Sequence, residues 1–248
     1  MMKFGFRTDT GRERSENQDA LLVLPKFGMY AVCDGVGGRR GGEIASRKAT
    51  LGIESYLLSH SVDEAKDLDG DYRSNWFKSY FFQCFQRINT DILDYAAAHK
   101  DTDGMATTAV ACYVDGGRLY IVNIGDSRAY VVRDNTITQL SEDHTYVNAL
   151  VNAGTLTKGE AQTHPQKNMI TRALGAVERA EPDFYSFDLK EGDRILLCSD
   201  GLTGELTDDE ICDIIAGGKD ANSACKSLVK AANAHGGNDN ITVILLLN

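Results

Sequence analysis

Met29-Tyr30-Ala31-Val32-Cys33-Asp34-Gly35-Val36-Gly37-Gly38 is an apolar, β-prone run that crosses a core and stops at a carboxylate. Three glycines fall within the four residues after Asp34, so the backbone turns tightly there and leaves amides and carbonyls uncovered. A strand end built this way presents a hard oxygen ligand at a cleft. Taken alone, Asp-Gly after a strand is more often a plain turn. The device recurs, however. Arg194 to Ser199 is a second buried-strand run and ends in Asp200-Gly201; Arg118 to Gly125 is a third and ends in Asp126-Ser127-Arg128. Near the C-terminus the order inverts, with Asp239-Asn240 before the strand Ile241 to Leu247, and Asp19 likewise precedes Ala20 to Leu24. In an antiparallel sheet the end of one strand lies beside the start of its neighbour. Asp19 opening one strand and Asp34 closing the next, across a turn at Pro25 to Gly28, therefore share one rim. Five carboxylates placed like this read as a divalent-metal cluster.

Composition sets the bounds. A chain of 248 residues suits one large domain spanning 1–248. Its 42% apolar and 25% charged content is that of an ordinary globular protein. A formal net charge of −10 argues against a nucleic-acid backbone as partner, and scattered surface carboxylates account for most of it. The six cysteines (Cys33, Cys84, Cys112, Cys198, Cys212, Cys225) form no CxxC pair and mostly sit inside apolar runs, as reduced core thiols do. The five histidines are scattered, with no HExxH-type pair, which disfavours zinc. No signal-peptide core opens the chain, and no apolar run is long enough to span a bilayer. The expectation is a soluble cytoplasmic protein with no membrane contact.

Along the chain, strands are expected at 3–9, 19–25 and 29–34, then a helix from Gly42 to about Leu58. An Asp-rich link (Asp63 to Asp71) leads to a second helix, whose stripe of Trp76, Phe77, Tyr80, Phe81, Cys84, Phe85, Ile88, Ile92 and Tyr95 at i, i+3/i+4 spacing reads as core packing. Thr107 to Leu140 switches to strands broken by turns at Asp115-Gly116-Gly117 and Asp134-Asn135. Short helices fit 144–153 and 157–162, strands 182–189 and 193–199, a helix capped by Thr207 and another near 220–234, and a last strand 240–247. Strands at both ends and in the middle, with helices arriving in pairs, imply antiparallel sheets under helical layers, not βαβ alternation.

The glycine-rich stretch fits none of the common phosphate loops. No Gly-Lys-Ser/Thr follows Gly35, position 40 is Arg40 where a dinucleotide fingerprint needs glycine, and the acidic residues are spread too widely for an EF-hand. A carboxylate-and-water site for magnesium or manganese remains. Two such ions roughly 3.5–4 Å apart would activate water for in-line attack on a phosphate ester. Arg14, five residues before Asp19 in a polar turn, is placed to grip the phosphate. An isolated loop arginine is ordinarily a solvated charge; its position beside the cluster reverses that reading.

The residues resemble the protein phosphatase 2C (PPM) family of metal-dependent serine/threonine phosphatases, in its compact bacterial form, over essentially the whole chain. The resemblance runs through Arg14 to Asp19, Asp34 to Gly38, Gly42-Glu43 with Ala45-Ser46, Thr107 to Ala109, Gly125 to Ala129, Asp143-His144, Asn168 to Gly175, Ser199 to Leu202 and Asp239 to Val243. It implies an α+β fold: a central β-sandwich of two antiparallel sheets flanked by paired helices in four αββα layers, with a small flap at about 144–170. It implies that Asp34 bridges two Mn2+ or Mg2+ ions, that the Gly35 carbonyl joins one, that Asp200 and Asp239 complete the other and that Asp19 holds bound waters. Asp126 would belong to a third, looser ion, and Arg14 would bind the phosphate. Three positions depart from the family pattern: Gln18 stands where many members have Glu, Val36 where animal members carry a histidine proposed as general acid, and Gly204 where many have an acidic residue.

The implied reaction is hydrolysis of phosphoserine and phosphothreonine in proteins by direct attack of a metal-bridging water. The implied partners are phosphorylated proteins, including a serine/threonine kinase or its targets, met by a monomer. The rival is a catalytically silent binding or sensing module on the same fold, which usually lacks the metal aspartates; Asp34, Asp200 and Asp239 are all present.

Overall fold

Alternation along the strands builds two faces from each sheet, because successive side chains point to opposite sides. In the computed structural model, which describes residues 2–37 and 41–248, Met29, Ala31 and Cys33 turn toward one helical layer while Tyr30 and Val32 turn inward. Their strand, β3 (Met29–Val36), lies in a sheet ordered β2 (Asp19–Leu24), β3, β5 (Ala109–Asp115), β6 (Arg118–Ile124) and β9 (Asp183–Asp188), with the two-residue β4 (Ala106–Thr107) also paired to β3. The second sheet runs β1 (Lys3–Asp9), β11 (Ile241–Leu247), β10 (Arg194–Cys198), β7 (Arg128–Arg133) and β8 (Thr136–Gln139). Every pairing is antiparallel.

The inner faces meet in one apolar layer that includes Tyr30, Val32, Val110, Ile121, Leu197 and Ile244. Outside the first sheet lie α1 (Gly41–Ser59) and α2 (Gly70–Ala98), and outside the second α6 (Asp208–Gly217) and α7 (Ala221–His235). Residues Phe77, Phe81, Phe85, Ile88 and Ile92 of α2 are buried against the first sheet, as the helical spacing requires. The order of layers is helix, sheet, sheet, helix, as expected from the sequence. Among the described residues, no helix is long and apolar enough to cross a membrane.

Three local details differ from the sequence reading. Strand β3 does not stop at Asp34: Gly35 and Val36 pair with Thr107 and Ala106, because the ladder is continued by β4. Between β10 and α6 a one-turn helix, α5 (Asp200–Thr203), starts at the carboxylate itself. The Asp-rich link carries a 3₁₀ turn at Asp63–Asp67. The turns behave as read: Gly28 takes φ +68° at the Pro25–Gly28 turn, and Asp134 and Asn135 take φ of 52° and 56° between β7 and β8. Gly38 and Arg40, named in the sequence reading, lie outside the described residues.

The flap holds α3 (Tyr146–Asn152), capped by Thr145, and α4 (Lys158–Thr163), closed by a reciprocal Thr157–Glu160 capping box. Its two ends are stitched by a bridge between Thr145 and Ile170.

Candidate active site

Asp19 and Asp34 are direct cross-strand partners. The other acidic residues reach the same end of the sandwich from the second sheet and from the crossover between sheets. Cys198 pairs with both Val243 and Arg128, so Asp200 leaves β10 beside the start of β11, where Asp239 stands, and beside the start of β7, which Asp126 precedes. Two close backbone approaches hold these ends together. A Cβ on Gly201 would overlap the Asn240 carbonyl, and one on Gly35 would overlap the Gly42 carbonyl and stand 2.6 Å from that of Gln18. Only glycine fits at either place.

Buried hydrogen bonds fix the rim. The Asp34 amide donates to Thr108 Oγ1 at 3.0 Å, and Thr107 Oγ1 donates to the Asp34 carbonyl at 2.8 Å. Ser199 Oγ donates to Asp19 Oδ2 at 2.8 Å. Asn240 accepts from the Gln18 amide at 2.8 Å and donates through Nδ2 to the carbonyls of Thr10 and Glu16, clamping the Arg14-bearing turn onto β11. Thr107, Thr108, Ser199 and Asn240 lie inside the family motifs, yet sequence reasoning gave them no role. Their signal was a polar residue inside or beside an apolar strand end, where an unpaired group would be costly.

Crowded carboxylates in a poorly solvated cleft hold protons tightly. Burial pushes Asp19 up to about 7, opposed by the Thr242 and Ser199 hydroxyls and reinforced by the charges of Asp200 and Asp239. Burial and the charge of Asp200 push Asp126 up to about 8. Asp34 is likewise raised well above the usual carboxylate range, by burial, by Asp19 and by Asp200, with which it shares a hydrogen bond; burial also raises Asp200. Arg14 Nη2 donates to Asp239 Oδ2 at 2.8 Å, and Asp34 and Asp200 also act on its charge. Its side chain is 55% exposed and so faces the cleft from the solvent side. Val36, beside the rim, is 39% exposed.

Among the described residues no three His, Cys, Asp or Glu groups already stand as a formed ligand set. The donor chemistry nevertheless fits a divalent cation. Asp19 Oδ1, Asp126 Oδ1 and Asp200 Oδ1 are buried without a hydrogen-bond partner, and all three groups are held away from ionisation by burial and mutual repulsion. A hard cation relieves both penalties at once.

Among known proteins, the protein phosphatase 2C family model matches residues 10–245. The serine/threonine phosphatase Stp of Listeria welshimeri is 36% identical over 97% of this chain and 94% of its own length. The crystal structure of serine/threonine phosphatase Stp1 from Staphylococcus aureus superposes with a TM-score of 0.90 at 33% identity, covering all of this chain and 95% of that one. The catalytic domain of the serine/threonine phosphatase PstP, solved in complex with 2 manganese ions, gives 0.83 at 30% identity over 100% and 99% of the two chains. With its fold, its rim of carboxylates and these matches in agreement, the chain belongs to the protein phosphatase 2C family.

Proposed function

We propose that the cleft hydrolyses phosphoserine and phosphothreonine in proteins, with residues 1–248 acting as one catalytic domain. The observation that carries the reading is the convergence of Asp19, Asp34, Asp126, Asp200 and Asp239 at one end of two sheets, three of them with orphaned oxygens. Asp34, Asp200, Asp239 and the Gly35 carbonyl would hold two Mn2+ or Mg2+ ions, Asp19 would order water around them, and Asp126 would contribute to a third, weaker site. Bound there, the ions would supply Lewis acidity to the phosphoryl oxygens and generate the nucleophile from water. Arg14, on the solvent side of the rim, orients the phosphate from the non-reacting oxygens. Val36 carries no proton to give, so the leaving-group proton comes from a group other than this side chain. Aryl phosphates should then turn over faster than alkyl ones.

Phosphorylated proteins, including a serine/threonine kinase or its targets, are the proposed substrates of a cytoplasmic monomer. The net charge of −10 supports a protein substrate over nucleic acid, and six buried free thiols suit a reducing compartment. The test is hydrolysis of a phosphothreonine peptide in manganese, with and without chelator, in the wild-type protein and in Asp34→Asn. Loss of turnover by about a hundredfold or more in the variant, with the fold retained, is expected. Manganese binding without turnover in the wild type would identify a silent binding module instead.

A further inference from the structure

The Asp143-His144 motif was left without a role by the reading of the cleft, yet the His144 ring is bonded at both nitrogens. The residue is buried at the base of the flap. Its Nδ1 accepts from the Gly125 amide at 3.1 Å, while its own amide donates to the Gly125 carbonyl at 2.9 Å. Facing an N–H, Nδ1 acts as an acceptor, which puts the ring proton on Nε2, 3.1 Å from Asp183 Oδ2, with Arg172 Nη1 also 3.3 Å from Nε2. Asp183 is held in turn by the Tyr185 hydroxyl at 3.1 Å and by Arg172 Nη1 at 3.2 Å. The His144 carbonyl accepts from the Thr171 amide at 2.8 Å, at the flap's far end. One neutral imidazole thus spans from the flap base to the residue before Asp126.

Gly125 is a position that needs this support. It sits at φ +105°, and a Cβ there would come within 2.6 Å of the Thr108 side chain. Thr108 Oγ1, on the other side of the same loop, takes the Asp34 amide and lies 2.7 Å from Ser127 Oγ. The Gly125–Ser127 loop is therefore held between two supports, one shared with Asp34 and one supplied by His144.

We propose that His144 is a positioning residue of the phosphatase reaction: through Nδ1 it fixes Gly125, and with it the Asp126 carboxylate, and through Nε2 and Asp183 it ties that placement to a seated flap. The ring bonds to none of the five rim aspartates; it acts through the loop. The proposal rests on the phosphatase reading of the cleft.

Two substitutions separate the two ends of the ring. His144→Asn keeps an acceptor where Nδ1 stands but cannot reach Asp183; His144→Gln reaches toward Asp183 but offers nothing to Gly125. With a phosphoserine peptide and saturating manganese, kcat is expected to fall about ten- to a hundredfold in His144→Gln and no more than about threefold in His144→Asn. Amide hydrogen exchange at Gly125, measured in the full chain without substrate, should accelerate about fivefold or more in His144→Gln and stay protected in His144→Asn. A purely structural histidine would lose turnover in both variants in proportion to their loss of Tm. Equal losses, or unchanged Gly125 exchange in His144→Gln, overturns the proposal. Should His144→Gln not fold, His144→Ala removes the same Nδ1 acceptor without a new side chain to place; faster Gly125 exchange is expected there, and unchanged exchange overturns the proposal. If the wild-type protein shows no manganese-dependent hydrolysis, the phosphatase reading falls, while the exchange experiment still decides whether His144 holds Gly125.

Discussion

Arg14 is the residue on which the proposed phosphate recognition would depend most directly. Its ion pair with Asp239 is exposed on both sides, 55% and 34%, and an exposed pair contributes only about 0–1 kcal/mol to stability. Arg14→Ala should therefore fold normally. A clamp on non-reacting oxygens stabilises ground and transition states alike, so its loss raises KM more than it lowers kcat. A charge-assisted contact of about 1.5–3 kcal/mol corresponds to a KM rise of roughly ten- to a hundredfold, which steady-state kinetics with a phosphopeptide will measure. An unchanged KM would remove Arg14 from the site. The cysteines near the rim have the opposite character. Cys33 and Cys198 are fully buried, and burial pushes the Cys198 thiol up to about 12, so neither presents a thiolate. Alkylating reagents should leave the native protein active. Cys198→Ala should cost about 1–2 kcal/mol in denaturant unfolding through lost packing, with catalysis preserved. Rapid inactivation by a thiol reagent, slowed by substrate, would contradict this.

At the scale of elements, the one-turn helix α5 matters beyond its length. It begins at Asp200, and Gly201 lies so close to the Asn240 carbonyl that the two acidic residues on either side are forced together. Gly201→Ala places a methyl into backbone, which cannot yield as a side-chain tip can. The expected result is a loss of about 1–3 kcal/mol in stability from overpacking. Manganese affinity should weaken at least about tenfold in calorimetric titration, because Asp200 moves away from Asp239. Native-like manganese binding in a folded Gly201→Ala protein would show that this contact does not set the site. Strand β3 carries a related lesson. The sequence places its end at Asp34 because glycines follow; the ladder continues because β4, two residues long, supplies partners that no local pattern announces. Helix α6 was legible to its cap, since Thr207 and Glu210 form the reciprocal bonds their spacing encodes.

For the whole molecule, the acidic cleft makes stability depend on pH and on metal together. Asp19 and Asp126 keep their protons up to about 7 and about 8, against 3.8 for the ordinary carboxyl. Groups raised in the folded state stabilise it fully below the unfolded value; as pH climbs from 4 to 8 the folded protein retains protons that the unfolded chain has already released, so this contribution is lost. Metal-free wild-type protein should therefore lose stability across that window relative to Asp126→Asn, which has no such group to ionise. Manganese competes with the same protons, so its stabilising effect should grow toward pH 8. At a hundredfold excess over Kd one ion contributes about 2.7 kcal/mol, a rise of roughly 5–10 °C in Tm for a chain of this size. A Tm indifferent to chelator at pH 8 would argue against the cation site.

What the sequence by itself determined was local. Alternation set the two faces of each strand, the Phe77–Ile92 stripe set the buried face of α2, and the Pro25–Gly28 turn brought Asp19 opposite Asp34. Each follows from the fixed periods of helix and strand and from the few residues that allow tight turns. The recurring strand-end aspartates and the family resemblance already grouped five carboxylates; the tertiary structure decided which strands pair to bring those ends together. β6 and β7 are consecutive yet lie in different sheets; β10 pairs with β7 and β11, and β1 closes against β11. Those choices put Asp126, Asp200 and Asp239 at the rim that Asp19 and Asp34 begin, set Asn240 to clamp the Arg14 turn, and bring His144 against Gly125. Such contacts depend on how two sheets bury their inner faces together, an energy shared by residues from the whole chain that no short window of it contains.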